Sequence, residues 1–142
     1  MAKVSVDGQL VASIGGGLLV LIGIRKDDAP ADGEWIAQKL LTLRIFEDDT
    51  GRMGRSVQDI QGELLIVSQF TLYGNLRKGT RPDFGDSMPG PAAKDFFEAW
   101  LAKLKQATPL HVGAGVFGAK MAVELLNDGP VTLLIDSRRA EN

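Results

Sequence analysis

Polar side chains follow directly after an apolar run in the segment GELLIVSQFTLYG. Residues 64–67 are typical of a buried strand, and Ser68, Gln69 and Thr71 come at its end. Because side chains alternate along a strand, Gln69 and Thr71 are predicted on one face and Ser68 and Phe70 on the other. Ser68 and Thr71 would then point into one pocket only if the strand bends.

A serine hydrolase of the triad type has little support. It needs a base beside the serine, but the only histidine, His111, lies far along the chain and there is no G-x-S-x-G segment. Metal catalysis has no support either, because the carboxylates are not spaced as ligands and there are no cysteines, so we expect neither metal nor cofactor. Catalysis would then depend on backbone N–H groups, hydroxyls and the substrate itself, which suits an activated ester such as an aminoacyl ester.

The composition limits the class of protein. A chain of 142 residues with 44% hydrophobic content fits one domain with a single core. Without cysteine, it fits a reducing compartment, and we expect a cytoplasmic protein. The net charge of -2 argues against a broad contact with nucleic acid and leaves a local contact with an RNA end open.

The apolar run 18–24 is too short to span a membrane, and charged residues follow it, so we predict no membrane helix and no signal peptide.

Turn and periodicity signals predict the elements that position these groups. Asp7-Gly8 predicts a hairpin turn, and the glycines at 15–17 predict a second turn rather than a phosphate loop, because their spacing fits neither common phosphate-binding pattern. Apolar spacing predicts amphipathic helices at 28–43 and 92–105 and strands near 44–46, 63–73 and, in two pieces, 110–135. We expect an α+β domain with mainly antiparallel, barrel-like sheets packed with two amphipathic helices.

A glycine and a proline interrupt the apolar segment NDGPVTLLID, residues 127–136. Proline cannot donate to a β-ladder and glycine weakens a strand, so Gly129 and Pro130 predict an edge, a bulge or a break. From the dipeptide alone, the expected structure is an ordinary turn with a trans Pro130.

Four motifs, in this order and at these separations, closely resemble the D-aminoacyl-tRNA deacylases. They are SQFTL from Ser68, KGTRPDF from Lys78, VFGAKM from Val116 and NDGPVT from Asn127. The resemblance covers residues 3–135, and four ordered motifs are far more specific than any one of them.

The resemblance implies hydrolysis of D-aminoacyl-tRNA, and of glycyl-tRNA mischarged on tRNA-Ala, to free amino acid and tRNA. Gly129 and Pro130 are expected to be joined by a cis bond, with carbonyl groups that face the α-carbon of the amino acid and exclude an L side chain. The catalytic segment would be Ser68, Gln69, Phe70 and Thr71. Backbone N–H groups around Phe70 and Thr71 would hold the oxyanion, while the ribose 2′-hydroxyl of the substrate helps to activate water. Thr71 as a nucleophile or as a water-positioning hydroxyl is the alternative.

The resemblance also implies a substrate pocket for the terminal adenosine and a working homodimer. Phe117 and Met121 would stack on the base, although core packing is an alternative role for both. The full set implied for substrate binding is Phe117, Gly118, Ala119, Met121, Arg81 and Pro82, and the residues implied to support the Gly-Pro loop are Asn127, Val131 and Thr132. The loop is expected to reach the partner's pocket, so that the dimer binds a tRNA acceptor end carrying a D-amino acid or glycine. A non-catalytic binder of that acceptor end and a purely structural dimer are the rival functions.

One departure from the family pattern concerns the start of the chain. Family members usually carry a further strand before the position of Met1, with an arginine thought to brace the Gly-Pro loop. Residues 1–142 are therefore interpreted as a single deacylase-like domain that lacks this first strand, and we expect an unpaired sheet edge. The sequence identifies no replacement for the arginine.

Overall fold

The elements confirm the predicted α+β class. The computed structural model describes residues 1–139, and within them the chain forms eight strands, two α-helices and two short 3₁₀ turns. The strands are β1 (Ala2–Val6), β2 (Gln9–Ile14), β3 (Gly17–Ile22), β4 (Phe46–Glu47), β5 (Met53–Arg55), β6 (Glu63–Ser68), β7 (Val112–Ala114) and β8 (Ala122–Leu125). The helices are α1 (Pro30–Thr42) and α2 (Gly90–Ala107), and the 3₁₀ turns are Phe70–Tyr73 and Ser137–Arg139.

An antiparallel sheet with strand order β2-β1-β8 begins with the predicted hairpin. Asp7 and Gly8 have φ of 51° and 76°, the left-handed values that a two-residue hairpin turn requires. β8 pairs on the other side of β1, with Val4 opposite Val123. A two-stranded hairpin of β4 and β5 is also antiparallel.

A parallel sheet with strand order β3-β6-β7 forms the second layer, which the expectation of mainly antiparallel sheets did not include. Parallel strands need long crossover connections, and here α1 lies in the connection from β3 to β6 and α2 in that from β6 to β7. The glycine turn therefore leads from one sheet into the other, because β2 and β3 do not pair with each other.

The buried side chains of β6 face two ways and so join three layers. Leu64 and Ile66 pack in the main core with residues of both helices, while Leu65 and Val67 pack with residues of the antiparallel sheet. The helices are fastened to each other where Trp100 Nε1 donates to the Gly33 carbonyl at 2.7 Å. β6 is thus the central strand of the parallel sheet and the one that contacts both core clusters.

The structure changes two predicted strands. β6 stops at Ser68, so the predicted alternation of side chains does not extend to Thr71. Residues 126–136 form no strand, so the apolar stretch that contains Gly129 and Pro130 leaves the sheet after Leu125. Within residues 1–139, no helix is both long and apolar enough to cross a membrane.

Candidate functional site

The ends of the parallel strands bring two of the four motifs to one edge. Ile66 of β6 pairs with Ala114 of β7, and the Gly115 N–H donates to the Ile66 carbonyl at 2.9 Å. Because parallel strands run in the same direction, the segments after Ser68 and after Ala114 leave the sheet side by side. Segments 68–73 and 116–121 therefore share the carboxyl edge of this sheet.

The turn Phe70–Tyr73 is held close to the end of β3. The Gln69 N–H donates to the Ile22 carbonyl at 2.7 Å. A methyl group on Gly23 would lie 3.1 Å from Leu72 Cβ and 3.2 Å from the Gln69 carbonyl oxygen. Such contacts are tighter than ordinary van der Waals packing, so the absence of a side chain at residue 23 lets the turn sit where it does.

The side chains of Gln69 and Thr71 are hydrogen-bonded to each other, and Thr71 is exposed. The Gln69 side-chain amide donates to Thr71 Oγ1, which leaves the Thr71 hydroxyl proton free to be donated elsewhere. The Leu72 N–H donates to the Gln69 carbonyl at 3.2 Å, whereas the N–H groups of Phe70 and Thr71 precede the first bond of the turn. The turn therefore presents two backbone donors and one hydroxyl, with Phe70 56% exposed beside them.

Two residues that the sequence analysis did not assign to the site hold Phe70. The Ser87 hydroxyl donates to the Phe70 carbonyl at 3.0 Å, and the Phe84 ring lies edge-on to the Phe70 ring at 5.0 Å. Phe84 is the last residue of the KGTRPDF motif, so the motif could have indicated its place beside the site. Ser87 lies outside every motif, and no sequence signal marked it.

The KGTRPDF motif forms a closed loop beside this turn. Asn75 and Asp83 exchange backbone hydrogen bonds of 2.7 and 3.0 Å, and the residues between them are exposed. The loop carries three cations, Arg77, Lys78 and Arg81, and its base packs against the turn, where the Pro82 and Phe84 side chains approach Gly74.

Phe117 and Met121 are half-buried and make core contacts, while Gly118 and Ala119 complete a tight turn. The Phe117 ring lies 5.8 Å from the Phe97 ring of the main core, and Met121 packs against the second core cluster. Gly118 has φ of 78°, and the Ala119 N–H donates to the Val116 carbonyl at 3.2 Å. Core packing is thus a role that Phe117 and Met121 have, and base stacking stays a prediction.

The Gly-Pro segment is exposed and braced mainly by itself. The bond between Gly129 and Pro130 is cis, and Asn127 Nδ2 donates to Thr132 Oγ1 at 2.8 Å across the loop. Gly129, Pro130 and Thr132 are exposed, and Val131 is half-buried. The roles of these residues in selectivity stay predictions.

His111 lies at the opposite edge of the parallel sheet from Ser68. Its carbonyl accepts from the Leu64 N–H at the start of β6, and Ser68 ends that strand, about 13 Å away at roughly 3.3 Å per residue. A Ser68–His111 pair is therefore excluded within one chain. In the described residues no three His, Cys, Asp or Glu side chains group as metal ligands.

Charges gather near Tyr73, the last residue of the turn. Burial raises the pKa of Tyr73, and the nearby carboxylates of Asp28 and Asp136 raise it further. Burial also raises the pKa of Asp28, against the hydrogen bond from the Arg25 N–H.

The chain is similar to proteins of one family along almost its whole length. The family model described as D-Tyr-tRNA(Tyr) deacylase matches residues 1–136. A D-aminoacyl-tRNA deacylase of Desulfitobacterium hafniense is 53% identical over 138 residues, 97% of this chain and 92% of that protein. One of Opitutus terrae is 52% identical over 140 residues, 99% of this chain and 93% of that protein.

Solved structures agree in fold. One described as c-Myc DNA Unwinding Element Binding Protein has a TM-score of 0.88 and 42% identity, covering 93% of this chain and 89% of that one. A probable eukaryotic D-amino acid tRNA deacylase has a TM-score of 0.67 at 17% identity, covering 87% of each chain, which shows a shared fold. From the family model and the relatives near 50% identity, we conclude that the chain belongs to the D-aminoacyl-tRNA deacylase family and is a hydrolase.

Proposed function

We propose that this hydrolase cleaves the ester bond of D-aminoacyl-tRNA, releasing the D-amino acid and tRNA, and that it spares the L-ester. The observation that carries the proposal is the exposed turn Phe70–Tyr73, which presents two backbone N–H donors and the Thr71 hydroxyl within a family of deacylases. Because aminoacyl-tRNA is used in the cytoplasm, the proposal places the enzyme there. Glycyl-tRNA is proposed as a second substrate, since glycine has no side chain to exclude.

In the proposed reaction, water attacks the ester carbonyl carbon and the bond to the ribose oxygen breaks. The N–H groups of Phe70 and Thr71 hold the negative oxygen of the tetrahedral intermediate, which needs no titrating side chain. The proton of the attacking water passes to the departing ribose oxygen, with the 2′-hydroxyl of the substrate as relay. Thr71 donates its hydroxyl proton to orient water or the substrate, since its oxygen already accepts from Gln69.

Selectivity is assigned to Gly129 and Pro130, and we propose that they act on the pocket of a partner subunit. The support is the surface around them, where four leucines flank the loop in two pairs. Their exposed fractions are 50% for Leu125, 63% for Leu126, 56% for Leu133 and 92% for Leu134. Exposed apolar patches of this kind mark contact surfaces, and a second copy of the chain is the partner that a homodimer supplies.

Recognition of tRNA is proposed at the same edge, with Phe117, Gly118, Ala119 and Met121 beside the terminal adenosine. Arg81 and Pro82 lie in the loop that packs on the catalytic turn, and Arg81 would contact the sugar-phosphate backbone. A chain with net charge -2 would make a local contact rather than a broad one.

The test is a deacylation assay with matched D- and L-tyrosyl-tRNA, with and without EDTA. We expect release of D-tyrosine, unaffected by EDTA, and little release of L-tyrosine. Equal cleavage of both esters would contradict the assignment of selectivity, and loss of activity with EDTA would contradict a metal-free mechanism. Binding without release of either amino acid would favour the rival function, a non-catalytic binder of the acceptor end.

A further inference from the structure

Residues 126–136 cross the surface outside any strand and are held at their two ends. At the start, the Leu126 N–H donates to the Met1 carbonyl at 2.9 Å. At the far end, Ile135 packs against the main core and the turn Ser137–Arg139 lies against α1. Gly129 and Pro130 lie between these two attachments, so their placement depends on both.

A chain of alternating charges fixes the far end. Arg138 Nη2 pairs with Asp27 Oδ1, and Arg25 Nε reaches the same oxygen at 3.0 Å. Arg25 Nη1 lies 3.9 Å from Asp86 Oδ2, and Lys26 Nζ lies 3.2 Å from Asp86 Oδ1. The C-terminal turn is thereby linked to the segment after β3 and to the segment before α2 that holds Phe70.

The charge states support this link. The hydrogen bond from Arg138 lowers the pKa of Asp27, and the same bond raises the pKa of Arg138, so the charged forms of both are favoured together. The hydrogen bond from the Ala29 N–H lowers the pKa of Asp32, and the Ser137 hydroxyl lowers it further. The C-terminal turn is therefore held at two places, by Asp27 before α1 and by its packing against α1.

We infer that Arg138 is a positioning residue, which through Asp27 fixes the C-terminal root of residues 126–136 and thereby sets the discrimination between D- and L-esters. The anchoring is independent of the proposed function, whereas the effect on discrimination rests on it. Discrimination is the ratio of the rates of D-ester and L-ester cleavage. A small displacement of the carbonyl groups of Gly129 and Pro130 would give space to an L side chain and so raise the L-ester rate. Cleavage of the D-ester is assigned to the N–H groups of Phe70 and Thr71, so the rate of D-ester cleavage should change less than the rate of L-ester cleavage.

The experiment uses Arg138→Gln, Asp27→Asn, the double variant and Arg138→Lys. Amide hydrogen exchange of the peptide covering residues 126–136 reports the anchor without any substrate. We expect each single neutral variant to exchange about fivefold faster and to lose about fivefold in the ratio of D to L cleavage, the upper range for an exposed ion pair. The double variant should lose no more than one single variant, and Arg138→Lys should restore most of both values.

The matched control is Arg55→Gln, which removes an ion pair in the β4–β5 hairpin whose arginine is as exposed as Arg138, and in which Arg55 Nη2 lies 2.6 Å from Asp49 Oδ1. Neither measurement should change in that variant. Unchanged exchange in Arg138→Gln, or additive effects of the two single variants, would overturn the anchor. Faster exchange with an unchanged ratio would overturn the role in discrimination. A wild-type protein that cleaves neither ester would overturn the proposed function and the effect on discrimination. Amide hydrogen exchange of residues 126–136 would still show whether Arg138 anchors this segment.

Discussion

The turn proposed for catalysis and the Gly-Pro segment are built in opposite ways. The turn Phe70–Tyr73 is held by neighbours from two other parts of its own chain, which are Ile22 at the end of β3 and the segment that contains Phe84 and Ser87. The segment 127–132 has its side-chain hydrogen bond within itself and exposed leucines on either side. The turn is complete in one chain, whereas the segment presents surface for contacts from outside.

This contrast indicates a division of labour. Groups that must hold an oxyanion need fixed positions before the substrate arrives, which packing within one chain provides. A group that only excludes one enantiomer can be contributed from another subunit, provided that its own root is fixed.

The largest expected effect is recovery of activity in mixed dimers. Thr71→Trp fills the pocket at an exposed position. Gly129→Val with Pro130→Ala adds a branched side chain that would occupy the space of the bound amino acid, so both variants should fold and be inactive alone. If each site combines the turn of one subunit with the segment of the other, a mixed dimer has one intact site. Random re-pairing of equal amounts should recover up to roughly a quarter of wild-type sites.

The control for this experiment is mass spectrometry of the re-paired sample, which shows that mixed dimers are present. If they are present and activity stays at zero, the segment acts within its own chain or does not form the selective element.

The second effect concerns the close packing of the turn on β3. Gly23→Ala should push against Leu72 and the Gln69 carbonyl and displace the donors of the turn. We expect a fall in kcat/KM of about 10- to 100-fold with a smaller effect on the unfolding midpoint. The matched control is Gly16→Ala, because a methyl group there meets nothing within 4 Å. Equal kcat/KM in the two variants would mean that the turn tolerates movement.

A smaller effect is expected from the side chains that could act chemically. Thr71→Ala should lower kcat by roughly tenfold, whereas the loss of a true nucleophile costs on the order of 10⁴-fold or more. His111→Ala should leave kcat unchanged, since His111 lies at the other edge of the parallel sheet. Single-turnover kinetics on folded variants separates the cases, and a fall of Thr71→Ala to the background rate would make Thr71 the nucleophile.

The smallest effect concerns salt. The closed loop Asn75–Asp83 carries Arg77, Lys78 and Arg81, and its base packs against the turn Phe70–Tyr73. Affinity for tRNA should fall gently as the salt concentration rises, with the slope expected for on the order of one to three phosphate contacts. Arg77→Gln should reduce the slope, and Lys103→Gln, on the exposed side of α2, should not. A steep slope in the wild-type protein would reveal a larger basic surface.

The sequence predicted the elements with strong local signals and missed pairings decided at long range. The Asp7-Gly8 hairpin and both helices follow from turn chemistry and periodicity, and the structure confirms them. Parallel pairing of β3 with β6 depends on layers formed by the whole chain, which local pattern does not encode. The end of β6 at Ser68 is likewise set by tertiary contacts, because Phe84 and Ser87 hold Phe70 in a turn where alternation alone predicted a strand.

The site residues came from motifs rather than from patterns of burial. The motif order led to Ser68–Thr71 and to the cis bond before Pro130, which the dipeptide alone did not indicate. Ser87 and the pair of Asp27 and Arg138 were missed, because surface polar residues carry no periodic signal and their partners are distant in sequence.

The parallel sheet has a consequence for the order of folding. β1 and β2 are separated by two turn residues, whereas β3 ends at Ile22 and its partner β6 begins at Glu63. Closing a long loop costs chain entropy before any strand contact offsets it, so the hairpin should form early and the parallel sheet late. The carboxyl edge of that sheet would therefore be among the last parts of the molecule to form, and a chain halted before this step would have secondary structure but no catalytic turn.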